Sequence, residues 1–496
     1  VTDGRVLKRP LEIEIESGLI RGRHDGDVRV WRGVPYAAPP VGPLRLRAPT
    51  PVTPWIGTRP AETFGAVAPQ GNGKGDEDAL FVNIVAPKNN ADQLRPVMVF
   101  VHGGAYNGGS PSAPKYHGTS LVERGEVVYV SIQYRLGALG YLDFREFSTP
   151  DSSFESNLGL RDQIAALNWI KRNIEAFGGD PDNVTLFGES SGANAVTTLM
   201  ASPAAEGLFA RAIAQSPPAA SAYGAPRAQG WARDVVQAAG ITDDQAGHWL
   251  RSVDAHTLVT TADEVAKRGV EDEPGTRIFA PVVGDDILPE HPLDVFAAGR
   301  SHPVPLIVGS NLHEGRIFPR LLDILPTEHR RIEKMFDRTP PSVKARVLAA
   351  YPRYPHRRAA ADLGGDVTFW EPSILCAQGH SQIAPTYSYR YDFAPRLLKL
   401  AGVGATHATE LYAVFGRSDV FTSVLTALGG RRGLADVTAS MQGHWIEFAH
   451  GGTPGRDWPL YTVPERRTMI FDSDSKVASD PLGDRRRAWL GYEHRR

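Results

Sequence analysis

Apolar positions along this chain fall into distinct patterns. Near the N-terminus they alternate with polar ones, in Leu11-Glu12-Ile13-Glu14-Ile15-Glu16 and again in Val28-Arg29-Val30-Trp31, with Gly18 and Gly26 as turn residues between. Side chains point to alternate faces of a strand, so this period of two predicts antiparallel strands with one face in solvent. Farther on the apolar runs are short, β-branched and nearly unbroken: Phe81-Val82-Asn83-Ile84-Val85, then residues 97–101, 127–132 and 184–187. Such runs predict strands covered on both faces. Between the last two, Leu160, Ile164, Leu167, Ile170, Ile174 and Phe177 recur every three or four residues. That spacing is one stripe of a helix, which Gly178-Gly179 ends. Strand, helix, strand, helix with short turns predicts a doubly wound α/β fold, a mostly parallel twisted sheet with helices on both faces. Later strands are predicted at 304–308, 386–391 and 468–471. The stretches at about 222–300 and 319–375 are longer and largely helical, and are expected to be pocket-forming insertions over one end of the sheet. No internal repeat and no long polar linker interrupts 1–496, so the chain reads as a single domain.

Composition narrows the function. Of 496 residues 42% are hydrophobic and 22% charged, enough to bury a large core, and 50 Gly with 39 Pro is too few for a low-complexity chain. Lys plus Arg number 54 against 56 Asp plus Glu, a net charge of −2, so no basic field gathers nucleic acid. The cluster Arg485-Arg486-Arg487 is expected to be solvated surface. A single cysteine, Cys376, excludes internal disulfides, thiolate zinc sites and iron–sulfur clusters. Its apolar neighbours predict a buried side chain rather than a nucleophile. No metal or other cofactor is expected. No apolar run approaches the roughly 20 residues that cross a bilayer. The visible N-terminus has no signal-peptide pattern, which with the single cysteine favours a cytoplasmic location, although the chain begins at Val1 rather than Met. Oligomeric state is not legible.

Gly188-Glu189-Ser190-Ser191-Gly192 fits GxSxG, a weak signal alone and a stronger one between a strand and the start of a helix. A strand-to-helix turn this sharp crowds the backbone, and small residues at 188 and 192 relieve it, so that the Ser190 hydroxyl projects from the carboxyl end of the sheet. A serine hydroxyl needs a base and donors for the oxyanion it creates. The N–H of Ser191 at the helix start is one donor. Val101-His102-Gly103-Gly104-Ala105, after the strand at 97–101, is the expected source of the others. Chemistry alone does not choose a base among 15 histidines.

At this point the chain resembles the type-B carboxylesterases, which include bacterial p-nitrobenzyl-type esterases and the cholinesterases. Residues Gly33-Val34-Pro35-Tyr36-Ala37-Ala38-Pro39-Pro40-Val41-Gly42 look like that family's N-terminal signature. Glu77-Asp78-Ala79-Leu80-Phe81-Val82-Asn83 is similar to its EDCLxLN signature, with Ala79 where cysteine is usual. Asn157-Leu158-Gly159-Leu160-Arg161-Asp162-Gln163 and Phe177-Gly178-Gly179-Asp180-Pro181 lead into Ser190 as in the family. The resemblance runs over nearly the whole chain and implies an α/β-hydrolase fold. It implies Glu314, in Gly309-Ser310-Asn311-Leu312-His313-Glu314-Gly315, as the triad acid and His407, in Gly404-Ala405-Thr406-His407-Ala408, as the base. The order Ser190, Glu314, His407 is the α/β-hydrolase order. His102 then belongs to the oxyanion loop, while composition does not dismiss His313 beside Glu314. Arg45 with Glu77 and Arg135 with Asp162 match the family's buried ion pairs.

The implied enzyme is a serine carboxylesterase acting on small or medium apolar esters through an acyl-enzyme. Its oxyanion hole would be Gly104, Ala105 and Ser191, and its pocket would include Tyr106, Ile317 and Phe318. An ordinary imidazole pKa of about 6.5 would set the acid limb of its rate. Residues 65–78 contain no aromatic to hold a choline cation, unlike the cholinesterases. Two other readings remain: a specialised hydrolase of carbamates, lactones or polyesters, and a non-catalytic adhesion or binding relative.

Overall fold

The computed structural model describes residues 11–89, 93–150, 152–417 and 419–494. An 11-stranded sheet organises them. In chain order its strands are β1 Arg23–Asp25, β2 Val28–Pro35, β3 Phe81–Pro87, β4 Arg95–Val101, β5 Val128–Ile132, β6 Gly179–Glu189, β7 Arg211–Gln215, β8 Leu306–Asn311, β9 Thr386–Tyr391, β10 Arg467–Phe471 and β11 Lys476–Ser479. The spatial order is β11-β10-β9-β8-β7-β6-β4-β5-β3-β2-β1. From β10 to β5 every pairing is parallel, and β11, β3, β2 and β1 add on antiparallel. Strands Glu12–Ile15, Gly18–Arg21 and Thr58–Pro60 form a separate small sheet.

The unbroken apolar runs do what their composition predicts. Along β4, Val97, Val99 and Val101 enter one core cluster while Met98 and Phe100 enter another on the opposite face. Helix α1, Leu158–Asn173, covers the first face with Leu160, Leu167 and Ile170, and helix α2, Ser191–Ala201, adds Ala195, Val196 and Leu199. The second face is covered by the helices Thr119–Gly125, through Leu121 and Val122, and Arg431–Gly451, through Val437, Met441, Trp445 and Phe448. The predicted insertions are helical as expected, with Ala225–Ala238, Asp243–Ser252 and Ala255–Asp272 in the first and Pro341–Ala349, Arg357–Gly365 and Glu371–His380 in the second.

Two expectations fail. Strand β2 is not half in solvent: Arg29, read as an outward polar residue, is fully buried. It lies over the Trp31 ring and its Nε donates to Pro87 O at 3.0 Å, so a neighbouring carbonyl and an aromatic face stand in for water. Nor is the 485–487 arginine cluster simply solvated. Arg485 pairs with the buried Asp366 at 2.9 Å and Arg486 with Asp480 at 2.8 Å, and only Arg487 is mostly exposed. Cys376 is buried as expected, and burial raises its thiol pKa.

The sheet order fixes where chemistry belongs. The chain leaves β4 for β5 on one side and returns to β6 on the other, so the loops after β4 and β6 diverge from one crevice at the carboxyl ends of the strands. Val101 is in register with Gly188, Glu189 with Gln215, and Asn311 with Tyr391. The turns carrying Ser190 and Glu314 and the loop at 102–106 therefore open on the same edge.

Candidate active site

Between β6 and α2 the single residue Ser190 makes the turn, with φ 60° and ψ −126°. A non-glycine residue there is strained, and the surrounding bonds hold it. Its N–H donates to Gln215 O at 2.9 Å, and its carbonyl accepts from Asn194 N–H at 2.9 Å. The first turn of α2 lies so close to β4 that a Cβ on Gly192 would sit 2.1 Å from Val101 O. The loop after β4 is strained as well. Gly104 has φ 126°, and Ala105 and Tyr106 follow at 55° and 60°. Bonds from Asn107 N–H and Gly108 N–H to Gly104 O, at 3.2 and 3.1 Å, close this loop, and Tyr106 N–H donates to Ser191 Oγ at 3.3 Å. Among the described residues no acceptor takes the N–H of Gly104 or Ala105. Ser191 is the first residue of its helix, so its N–H has no acceptor within the helix. Gly104, Ala105 and Ser191 line one cavity with Ser190, and among the described residues their backbone N–H groups have no acceptor.

Glu314 follows β8 and is buried. One carboxylate oxygen accepts from Ser216 Oγ and from Asn311 N–H, both at 2.6 Å, and the other lies 2.6 Å from His407 Nδ1. With Nδ1–H donating to Glu314, the lone pair of the neutral ring sits on Nε2. Phe369 stacks on the imidazole with centroids 4.2 Å apart, and Phe318 lies at 5.2 Å. His407 is thereby fixed in the wall of a cavity of about 360 Å³ that Ser190 also lines.

The sequence reading missed Glu189. Its Oε1 faces His407 Nε2 at 3.1 Å, and among the described residues no hydrogen bond joins Ser190 Oγ to the ring. A third buried carboxylate, Glu410, accepts from Asn311 Nδ2 at 2.6 Å and Gln215 Nε2 at 3.2 Å. Burial lowers the pKa of an imidazole, but these carboxylates outweigh it, and His407 is pushed up to about 9. Burial and the charges of Glu189 and Glu314 push Glu410 up to about 8. Burial also raises Glu189. The surrounding carboxylates thus favour the protonated imidazole to a higher pH than in a free ring, although Glu189 Oε1 makes no hydrogen bond to it.

The other expected residues divide. Phe318 lines the cavity. Tyr106 forms part of the wall, but its ring packs into the core against Tyr141, with centroids 4.0 Å apart. Ile317 does not reach the cavity: it packs with Phe318, Leu325 and Phe369, and its N–H donates to Thr406 Oγ1 at 3.1 Å. His313 is turned away to Asp362 at 3.3 Å. His102 is buried, stacked on Tyr134, and burial pulls its pKa down to about 4. Arg45 Nε meets Glu77 at 2.7 Å, and Arg135 meets the fully buried Asp162 at 2.6 Å. Arg277, Phe279, Leu322, Ile324 and Phe369 also line the cavity. No periodicity or motif points to these, because their place in the cavity depends on how distant segments of the chain fold together. Among the described residues no group of three His, Cys, Asp or Glu side chains has metal-site geometry, and no helix is long and apolar enough to cross a membrane.

Comparison with known proteins agrees with this geometry. The carboxylesterase family profile matches residues 9–489. The chain is 34% identical to the para-nitrobenzyl esterase of Bacillus subtilis (strain 168), over 96% of this chain and 97% of that protein. It is also 34% identical to the fumonisin B1 esterase of Sphingopyxis macrogoltabida, over 94% and 86%. A solved thermophilic PNB esterase superposes with a TM-score of 0.86 at 33% identity, covering 97% of this chain and 99% of that one. With an α/β-hydrolase sheet and a strained serine turn at its carboxyl edge, the chain belongs to the carboxylesterase family and is a serine carboxylic ester hydrolase.

Proposed function

We propose that Ser190 is the nucleophile, His407 the base and Glu314 the acid of this esterase, with the N–H groups of Gly104, Ala105 and Ser191 as the oxyanion hole. The observation that carries the reading is the 2.6 Å bond from His407 to the buried Glu314, in the wall of the cavity that Ser190 lines. When an ester binds, His407 Nε2 exchanges its contact with Glu189 for the Ser190 hydroxyl. Ser190 Oγ bonds to the carbonyl carbon as its proton passes to Nε2, and the oxygen charge forms against the three N–H donors. The C–O bond then breaks, Nε2–H protonates the leaving alcohol, and the acyl group stays on Ser190. Water repeats the sequence and releases the acid. Glu314 holds the tautomer and stabilises the imidazolium.

The substrates are small or medium esters with apolar character, accommodated by Phe279, Phe318, Leu322, Ile324 and Phe369. The insertions at 222–300 and 319–375 form this pocket over one end of a single-domain scaffold.

Ser190→Ala tests the assignment. Turnover of ethyl hexanoate should fall by a factor on the order of 10⁶ with the fold intact by circular dichroism, and an organophosphate should label the wild type at Ser190 alone. Substantial hydrolysis by the purified variant would remove Ser190 from the mechanism.

A further inference from the structure

Arg277 lies between the helix Ala255–Asp272 and the short strand Val282–Val283. Its backbone N–H donates to Tyr223 Oη at 3.1 Å, which fixes the main chain. It lines the cavity that holds Ser190 and His407 and also an adjoining cavity of about 510 Å³, with Phe279, Leu322 and Ile324 shared between the two. Several half-buried and buried arginines elsewhere in this molecule have acidic partners: Arg45 with Glu77, Arg135 with Asp162, Arg316 with Asp362 and Arg485 with Asp366. Among the described residues the guanidinium of Arg277 has no hydrogen-bond acceptor and no carboxylate within ion-pair distance. Burial without a counter-ion pulls it down to about 10, which leaves it cationic at neutral pH.

A partly desolvated charge with no partner is costly, and the cost is recovered where a ligand supplies the opposite charge. The carboxylates around the two cavities lie beside other groups of the protein, although one oxygen each of Asp263 and Glu189 has no hydrogen-bond partner among the described residues. Glu189 faces His407, Asp323 meets Arg331 at 2.6 Å, and Asp263 lies beside Asn107 and Lys267. A second cation, Lys115, stands on the wall of the inner cavity with its Nζ 4.7 Å from the Tyr116 ring centroid. The planar fork of a guanidinium suits a carboxylate, which it can bind through two parallel hydrogen bonds.

We propose that Arg277 is a specificity residue that anchors a carboxylate carried by the substrate, so that half-esters of aliphatic dicarboxylic acids are preferred substrates of this esterase. The apolar wall takes the methylene chain, and the guanidinium takes its far end. The proposal rests on the esterase reading and adds the substrate class.

The test compares monoethyl esters of glutaric to suberic acid with ethyl esters of monocarboxylic acids of equal chain length, in the wild type and in Arg277→Met. The readout is the ratio of kcat/KM for the anionic ester to that for its neutral counterpart. The ratio should fall at least about fivefold in the variant for one or more chain lengths, chiefly through KM, since a charge-assisted contact is lost. A smaller fall at every length overturns the proposal. Arg277→Gln, held to the same threshold, replaces a methionine variant that does not fold. Adipate should also inhibit wild-type hydrolysis of ethyl hexanoate competitively, and added salt should weaken that inhibition. Absence of competitive inhibition also overturns it. Wild-type hydrolysis of ethyl hexanoate and its loss in Ser190→Ala read the esterase assignment separately, so the two can fail independently.

Discussion

His407 has a carboxylate at each ring nitrogen, Glu314 at Nδ1 and Glu189 at Nε2, and with His407 as the proposed base this should set how the enzyme responds to pH. Imidazolium cannot take the Ser190 proton, so under that assignment activity should be lost as pH falls through the His407 pKa. Carboxylates that stabilise the cation raise that pKa, here to about 9, so under the proposed mechanism the acid limb should lie above the ordinary value of about 6.5. In Glu189→Gln one of those charges is gone, the neutral base persists to lower pH, and the midpoint of kcat/KM for ethyl hexanoate should move down by about one unit. A pH–rate profile that stays in place or moves upward would show that Glu189 does not act on the ring. The serine turn was legible from GxSxG between a strand and a helix, whereas Glu314 and His407 were reached only through the resemblance to a known family. Glu189 was not singled out, although it is the second residue of GxSxG. Its carboxylate meets Nε2 where the end of β6 and the loop carrying His407 come together in the fold, a juxtaposition with no one-dimensional signature. Arg277 is the same kind of case: a pattern shows an arginine but not the absence of its partner.

At the level of elements, the contact between β4 and the first turn of α2 sets the serine turn. In Gly192→Ala the new methyl would begin 2.1 Å from Val101 O, a backbone atom of a central strand that cannot yield cheaply. The variant should lose about 1–3 kcal/mol of stability and most of its activity, measured by urea unfolding and by ester hydrolysis. Gly443→Ala is the contrast. Gly443 lies inside the helix Arg431–Gly451, and a methyl placed on it would meet nothing within 4 Å. There alanine should add about 0.5–1 kcal/mol through helix propensity. Equal responses at the two glycines would contradict the steric argument. Strands with both faces covered, such as β4 and β5, were legible from their unbroken β-branched runs. Strand β7 was not: in Arg211-Ala212-Ile213-Ala214-Gln215 only Ile213 is β-branched, and small alanines serve where α2 packs close. Strand β2 gave the wrong exposure because alternation reads Arg29 as outward, whereas Trp31 and a carbonyl of β3 accommodate it inside.

Over the whole molecule the net charge of −2 gives no steering field, so discrimination between charged substrates falls to the cavity. Its charged groups come from distant parts of the chain: Lys115 follows the loop after β4, Glu189 ends β6, Arg277 belongs to the first insertion, and His407 follows β9. Glu189 is bound up with His407, which leaves Lys115 and Arg277 to set the potential met by a ligand. A choline ester would place a quaternary ammonium against two cations. The aromatic faces available are Phe279, Phe318, Phe369 and Tyr116. Phe369 stacks on His407, and Tyr116 already has the Lys115 ammonium near its ring. A cation over a free aromatic face gains about 0.5–2 kcal/mol, and desolvating the ammonium next to like charges costs at least as much. The 3,3-dimethylbutyl ester has the same shape without the charge, and each methylene it buries contributes about 0.8 kcal/mol. Its kcat/KM should therefore exceed that of the choline ester with the same acyl group by about tenfold or more at low ionic strength. Screening by salt should narrow the gap, since the Debye length falls from about 30 Å at 0.01 M to about 8 Å at 0.15 M. A choline ester hydrolysed as fast as its neutral isostere, or a gap that salt leaves unchanged, would mean that Lys115 and Arg277 do not govern the charge seen by the substrate.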